Sequence, residues 1–131
     1  MRVISQTTGT ANLIEWTKLA LRDAKAHVLR VSRVRHDKTF GTLLEDIVLP
    51  LDKFPGLTAC ETVPDVADLA ERFGLQIERV AERIRLIEAP GNVAQHLGIA
   101  AGTGVVKLDR ITETIGGEPI EWRVAYAWKA A

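Results

Sequence analysis

The feature that most constrains this chain is an internal repeat. Val28-Leu29-Arg30-Val31-Ser32-Arg33-Val34 runs apolar, apolar, basic, apolar, polar, basic, apolar, and Val105-Val106-Lys107-Leu108-Asp109-Arg110-Ile111 repeats the order 77 positions later. Each copy is followed by a turn and a second alternating stretch, Leu43 to Leu49 in the first and, after the Gly116-Gly117 turn, the stretch ending at Trp128 in the second. Period-two alternation bounded by turn residues is the pattern of strands. A chain that writes strand, turn, strand twice is expected to build its sheet from two related hairpins.

The rest of the chain fits around these hairpins. Met1 to Thr7 alternates enough for a short strand, and Thr7-Thr8-Gly9-Thr10 ends it. Ala11 to Leu21 reads as a helix whose packed face carries Leu13, Trp16 and Ala20, with Ile14 and Leu21 fitting less well. After the first hairpin, Pro50 and Pro55-Gly56 halt the ladder, and Leu51 to Val63 is loop. Pro64-Asp65 opens a helix that runs to Phe73 and stops at Gly74. Leu75 to Glu88 mixes charges with apolar residues and reads as a long strand with one wet face, helix being its rival. Pro90 to Leu97 makes a short helix ended by Gly98. Each half is thus strand, helix, strand, strand, with the Pro64 helix between them. The expected class is α+β, a mainly antiparallel sheet of two pseudo-repeated halves with its helices gathered on one face.

Several functions are disfavoured. The 131 residues make one domain, and 17 basic against 17 acidic side chains give no net field to attract nucleic acid. No run approaches the ~20 apolar residues of a membrane span, and the N-terminus lacks the apolar core of a signal peptide, so a cytoplasmic protein with no membrane partner is expected. Cys60 is the single cysteine, which excludes an internal disulfide framework; a buried, inert thiol is expected there. His27, His36 and His96 have no metal-ligand spacing, and no serine sits in a nucleophile-elbow setting. Gly98, Gly102 and Gly104 precede a strand instead of linking a strand to a helix, so they do not form a phosphate loop. No metal, cofactor or catalytic residue is expected.

Charges on faces that should be apolar carry more information. Arg33 and Arg35 lie two apart in a strand, on the face that also carries Leu29 and Val31. Glu45 in the partner strand, and Glu121 and Arg123 in the last one, break the alternation in the same way. Buried charges need partners or a ligand. Two readings remain at this point: an internal ion-pair network on a sheet face, or a pocket in which arginine forks hold an anion and glutamates accept from hydroxyls.

The order and spacing of these motifs, from about Lys18 onward, resemble the UTRA effector-binding domain of the GntR/HutC class of bacterial transcription regulators. The carriers are Val28 to Arg35, Glu45 to Pro50 leading into Phe54-Pro55-Gly56-Leu57, and Leu69-Ala70-Glu71-Arg72-Phe73-Gly74-Leu75. Leu97-Gly98-Ile99 through Gly102 into Val105 to Arg110, and Gly117-Glu118-Pro119-Ile120-Glu121-Trp122, complete the series. The resemblance implies a chorismate lyase-like fold with a small-molecule site at the middle of the sheet, in a likeness that would make the protein a homodimer. DNA would be touched only by a separate N-terminal winged-helix domain, which this chain does not contain. The effector would be an organic acid, an amino-acid-derived acid or a sugar phosphate. By the same resemblance Arg33 and Arg35 bind the anion, and Glu45 and Glu121 line the site; the face argument adds Arg123. Family members that hold a phosphate often place serine at the start of the middle helix, where this chain has Pro64-Asp65. The family's late tyrosine aligns near Ala127, with Tyr126 on the other face, and Thr8, with Thr10, stands where polar residues precede the first helix. Thr8 and Tyr126 complete the candidate ligand set. In the repeat alignment Arg35 meets Thr112, and Glu45 matches Glu121 within one residue. An enzyme of the related lyase fold acting on a cyclic carboxylate, with a glutamate as acid, is the alternative.

Overall fold

The structure, a computed structural model, describes residues 1–130. Six strands form one antiparallel sheet: β1 (Arg2–Thr10), β2 (His27–Asp37), β3 (Gly41–Pro50), β4 (Ile77–Glu88), β5 (Gly104–Thr114) and β6 (Pro119–Trp128). Their spatial order is β1-β2-β3-β6-β5-β4. The three helices are α1 (Leu13–Lys18), α2 (Val66–Arg72) and α3 (Gly91–Leu97). The order is the internal repeat made visible: β1, α1, β2, β3 in one half and β4, α3, β5, β6 in the other, with β3 and β6 paired along the centre. The expected α+β class and the two pseudo-repeated halves are as observed.

Local sequence sets most boundaries. Asn12 caps α1 by accepting from the Glu15 N–H at 2.8 Å, while Glu15 returns a bond from the Asn12 N–H at 2.9 Å. That helix ends at Lys18, several residues before the expected Leu21, and Leu13 and Ile14 are exposed. A two-turn helix closes its apolar face with Trp16 and then turns the chain so that Leu19 and Leu21 do the burying. Gly98 ends α3 in the left-handed region.

The helices lie on both faces, which corrects the expectation of one. On one face α1 and the turn after it cover Val28 and Val48 through Trp16, Leu19 and Leu21, while α3 covers Val34, Leu44 and Val105 through Val93, Ala94 and Leu97. On the opposite face α2 and residues 51–65 cover Leu29, Val31, Ile47 and Leu49 with Phe54, Leu57, Val63, Val66 and Leu69. Topology gives the reason. The chain leaves β3 at the sheet centre and must reach β4 at the far edge, crossing β6 and β5; with one face occupied by α1 and α3, the crossover takes the other. Phe54 packs edge-on against Phe73 with centroids 5.4 Å apart, fastening the crossover to α2.

Pairing also corrects the repeat alignment. Arg33 stands opposite Glu45, and its counterpart Arg110 stands opposite Arg123. Likewise Arg35 is opposite Leu43, and Thr112 is opposite Glu121. The structural counterpart of Glu45 is therefore Arg123, not Glu121. An irregularity between Thr112 and Glu113 gives the second hairpin one extra residue and shifts the match. Cys60 is exposed in the turn before α2 and not buried as expected, because the crossover presents its apolar residues, Leu57 and Val63, to the sheet on either side of it.

Candidate functional site

Charged residues meet at the centre of the sheet face that the crossover covers. Strand parity puts Arg33 and Arg35 of β2, Glu45 of β3, Arg123 and Glu121 of β6, and Arg110 and Thr112 of β5 on that one face. Glu45 is fully buried and gathers three guanidiniums. Arg33 Nε donates to its Oε1 at 3.2 Å and Arg35 Nε to the same oxygen at 2.5 Å. Arg123 Nη2 lies 2.5 Å from Glu45 Oε2, an ion pair without hydrogen-bond alignment, so that Glu45 Oε2 and Arg123 Nε have no hydrogen-bond partner. Arg33 Nη1 also donates to the Val63 carbonyl at 2.6 Å, tying the cluster to the crossover.

A second carboxylate lies on the same face, on β6 four residues from Ala125, the partner of Glu45. Glu121 Oε1 accepts from Arg110 Nη2 at 2.8 Å, from Arg110 Nε at 3.2 Å and from the Thr112 hydroxyl at 3.3 Å. Four arginines, Arg33, Arg35, Arg110 and Arg123, thus face two glutamates, a surplus of two positive charges. The fields of two further carboxylates reach the cluster, Asp65 at the start of α2 acting on Arg35 and Glu121 and Asp37 at the end of β2 acting on Arg35 and Arg123, and they offset the surplus without pairing with it.

The titration shifts follow from this layout. Burial drives the Glu121 carboxyl above its ordinary value of 4.5, and Arg110 opposes that without cancelling it. Burial likewise pulls the Arg123 guanidinium below its ordinary value; Glu45 supports its charge, while Arg110 and Arg35 repel it. For Arg35 burial works against the charge, but the bond to Glu45 and the charges of Glu45, Asp65 and Asp37 outweigh it and raise the pKa. Arginine stays charged throughout. Burial and two neighbouring arginines disfavour the Arg123 charge, and a further anion beside it would support that charge.

Of the residues picked out in the sequence, Arg33, Arg35, Glu45 and Arg123 touch one another and Glu121 adjoins them. Thr8 lies on the exposed edge strand β1, opposite Leu29, two strands away from Glu45. Tyr126 does not join them: it packs on the opposite face with the α3 cluster, 5.8 Å beneath Lys107 Nζ, and burial raises its hydroxyl. Strand parity forces that separation, since Ala125 and Ala127 occupy the charged face. Arg110 and Thr112 were missed. The signal was present, because Arg110 is the repeat counterpart of Arg33 and breaks the alternation set by Val106 and Leu108.

A separate cavity lies away from this cluster. It measures about 630 Å³ and runs between the α1–β2 connection, Pro50 to Lys53 and Gly116 to Pro119. Its charged lining balances Arg22, Lys25 and Lys53 against Asp23, Asp52 and Glu118, with Lys53 paired to Glu118 and the rest exposed to water, so it holds no unmet electrostatic demand. The central cluster does, and it is the stronger candidate. Among the described residues no group of three or more His, Cys, Asp or Glu side chains is placed to hold a metal, and no helix is long and apolar enough to cross a membrane.

Comparison with known proteins agrees with this architecture. The model of the family described as UTRA domain matches residues 1–128. The ligand-binding domain of a GntR-family transcriptional regulator from Bordetella bronchiseptica is similar at 26% identity and a TM-score of 0.83, over 98% of this chain and 81% of that one. The effector domain of PhnF from Mycobacterium smegmatis is similar at 25% identity and a TM-score of 0.82, covering 96% and 78%. A PhnF structure from the same organism matches at 24% identity and a TM-score of 0.81 over 95% of this chain but 56% of its own. No curated protein matches the chain.

Proposed function

The chain belongs to the UTRA-domain family, and from that premise we propose that it is the effector-sensing domain of a HutC-type GntR-family regulator, binding an anionic metabolite at the centre of its sheet. One observation carries the reading: four guanidiniums converge on two buried carboxylates, so that two of the four positive charges have no carboxylate of their own within ion-pair reach. Arginine forks in a half-dry site recognise carboxylate or phosphate oxygens in pairs. Arg35, whose side chain is 29% exposed, is the first group an entering anion meets, with Arg33 and Arg123 behind it. Asp65 beside the cluster disfavours a dianionic phosphate and favours a carboxylate, so an organic or amino-acid-derived acid fits better than a sugar phosphate.

In this reading DNA is bound by a separate N-terminal winged-helix domain of a homodimeric, cytoplasmic protein, and the 56% coverage of the PhnF chain supports such an additional part. An effector regulates only if it binds the two DNA-binding states with different affinity. The crossover supplies a physical route. Its Val63 carbonyl is held by Arg33, and its Glu61 carbonyl accepts from Gln6 Nε2 of β1 at 2.5 Å. An anion that draws Arg33 away from Val63 therefore acts on the segment that touches the N-terminal strand. The test is a thermal-stability screen against organic acids, amino-acid derivatives and sugar phosphates, followed by calorimetry with Arg33→Ala. Stabilisation by at least one acid, lost in the variant, is expected; unchanged affinity in Arg33→Ala would remove this site.

A further inference from the structure

A second cavity, of about 300 Å³, opens at the end of β5 and β6 beside the turn that joins β2 to β3. Val106 and Ala127, a cross-strand pair, form its floor, and Phe40, Gly104 and Trp128 border it. Strand parity ties this cavity to the charged site. Ala127 stands opposite Leu43 as well as Val106, and Leu43 stands opposite Arg35, so these side chains share one row and one face. In the adjoining row Ala125 stands between Glu45 and Leu108. Leu43, Leu108, Ala125 and Ala127 form one buried apolar cluster on which Val106 packs, distinct from the residues that the crossover buries. Toward β5 the arginine cluster thus gives way to an apolar floor.

The wall of the cavity is fixed by the turn that carries it. Asp37 Oδ1 accepts from the N–H groups of Thr39 at 2.7 Å and Phe40 at 2.9 Å, an arrangement that holds the turn in one conformation. Gly41, with φ +84°, lets that turn close onto the Trp128 backbone. Phe40 is therefore held in place while 37% exposed, an aromatic ring that the fold presents and does not bury. The same Asp37 acts through its field on Arg35, so wall and charged site belong to one local structure.

We infer that this cavity is the subsite for the apolar end of the effector, so that the effector is a monocarboxylic acid bearing an alkyl or aryl chain, with its carboxylate at Arg35 and Arg123 and its chain laid over Ala125 and Ala127 toward Phe40. This rests on the assignment of the anion to the arginine cluster. The spacing agrees: Arg35 Nε bonds Glu45 of β3, and β6 and β5 lie one and two strand spacings beyond it, roughly 5–10 Å. A chain of that reach buries its methylenes in succession, and each one buried strengthens binding about fourfold. A sugar, or a second carboxylate at the far end, would set polar groups without partners on the apolar floor.

The experiment reads affinity against chain length. Acetate, butyrate and hexanoate are titrated separately into the 131-residue chain while the arginine side-chain Nε–H resonances are followed by NMR. Affinity at Arg35 should rise about tenfold with each added pair of methylenes. In Phe40→Ala, which removes the wall, and in Val106→Phe, which fills the cavity from its floor, that rise should fall to about twofold or less. The slope is the readout, because a variant that only weakened the anion site would lower all three acids together. Equal affinity for the three acids in the parent, or an unchanged slope in either variant, overturns the apolar subsite and leaves the anion site standing. No acid moving Arg35 or Arg123 overturns the anion assignment as well, which is a distinct outcome.

Discussion

Replacing Glu45 with glutamine is the most informative single perturbation of this fold. The change preserves shape and deletes one charge at a fully buried position. Three guanidiniums lose their shared counter-ion, and the four arginines keep one paired carboxylate, Glu121, where they had two. Arg35, partly exposed, can turn toward water, so the burden falls on Arg33 and Arg123, whose side chains are 5% and 10% exposed. Removing one partner from a buried pair costs about 3–5 kcal/mol. A domain of this size loses roughly 3–5 °C of melting temperature per kcal/mol, so a fall of about 10–20 °C is expected. The assay is thermal unfolding in low salt, followed by circular dichroism, with and without an added polycarboxylate such as citrate. Citrate should restore more of the melting temperature in Glu45→Gln than it adds to the parent, because the variant presents the larger positive surplus. A loss below about 1 kcal/mol, or equal citrate effects on both proteins, would refute the claim that these arginines are buried and under-neutralised.

Two further substitutions probe the frame around the site. Gly41, at the turn between β2 and β3, has φ +84°, and a Cβ there would sit 2.5 Å from the Trp128 carbonyl oxygen, so Gly41→Ala should destabilise by about 1–3 kcal/mol, read as a lower denaturant midpoint. Glu15 lies against Arg30 with bonds of 2.7 Å to both Nε and Nη2; burial raises its carboxyl, but Arg30 and the Asn12 N–H outweigh this and hold it below the ordinary 4.5. A carboxyl with a depressed folded pKa stabilises above its unfolded value and loses that contribution as pH falls through the folded one. Glu15→Gln should therefore cost about 1–2 kcal/mol at neutral pH, Arg30 being partly exposed, and the gap to the parent should close as pH drops below about 4.5 in a melting series.

The sequence carried the hairpins and the charged face because both are period-two signals. Arg33, Arg35, Glu45 and Arg123 stand where apolar side chains should, and parity alone predicts their meeting. Arg110 broke the same alternation, but a repeat alignment that sets Glu45 near Glu121 lies two residues from the true counterpart, Arg123, and so hides the place of Arg110 beside it. Which face each helix takes was not legible: periodicity says that a strand has two sides, not which side a crossover uses. The length of α1 was misjudged for a related reason, since Leu19 and Leu21 are buried by a turn and not by continued helix. Tyr126 illustrates the limit of a family alignment, because one residue of offset in a strand exchanges the pocket for the opposite core.

The central claim is that the arginine cluster binds an anionic effector, and Arg35 tests it most directly because its exposed position lets it be removed without emptying the core. The measurement is a calorimetric titration of the parent and of Arg35→Ala with the acid that most raises the parent's melting temperature. The account predicts an affinity at least tenfold weaker in Arg35→Ala, about 1.4 kcal/mol, with folding retained. Equal affinity in the two proteins would contradict it.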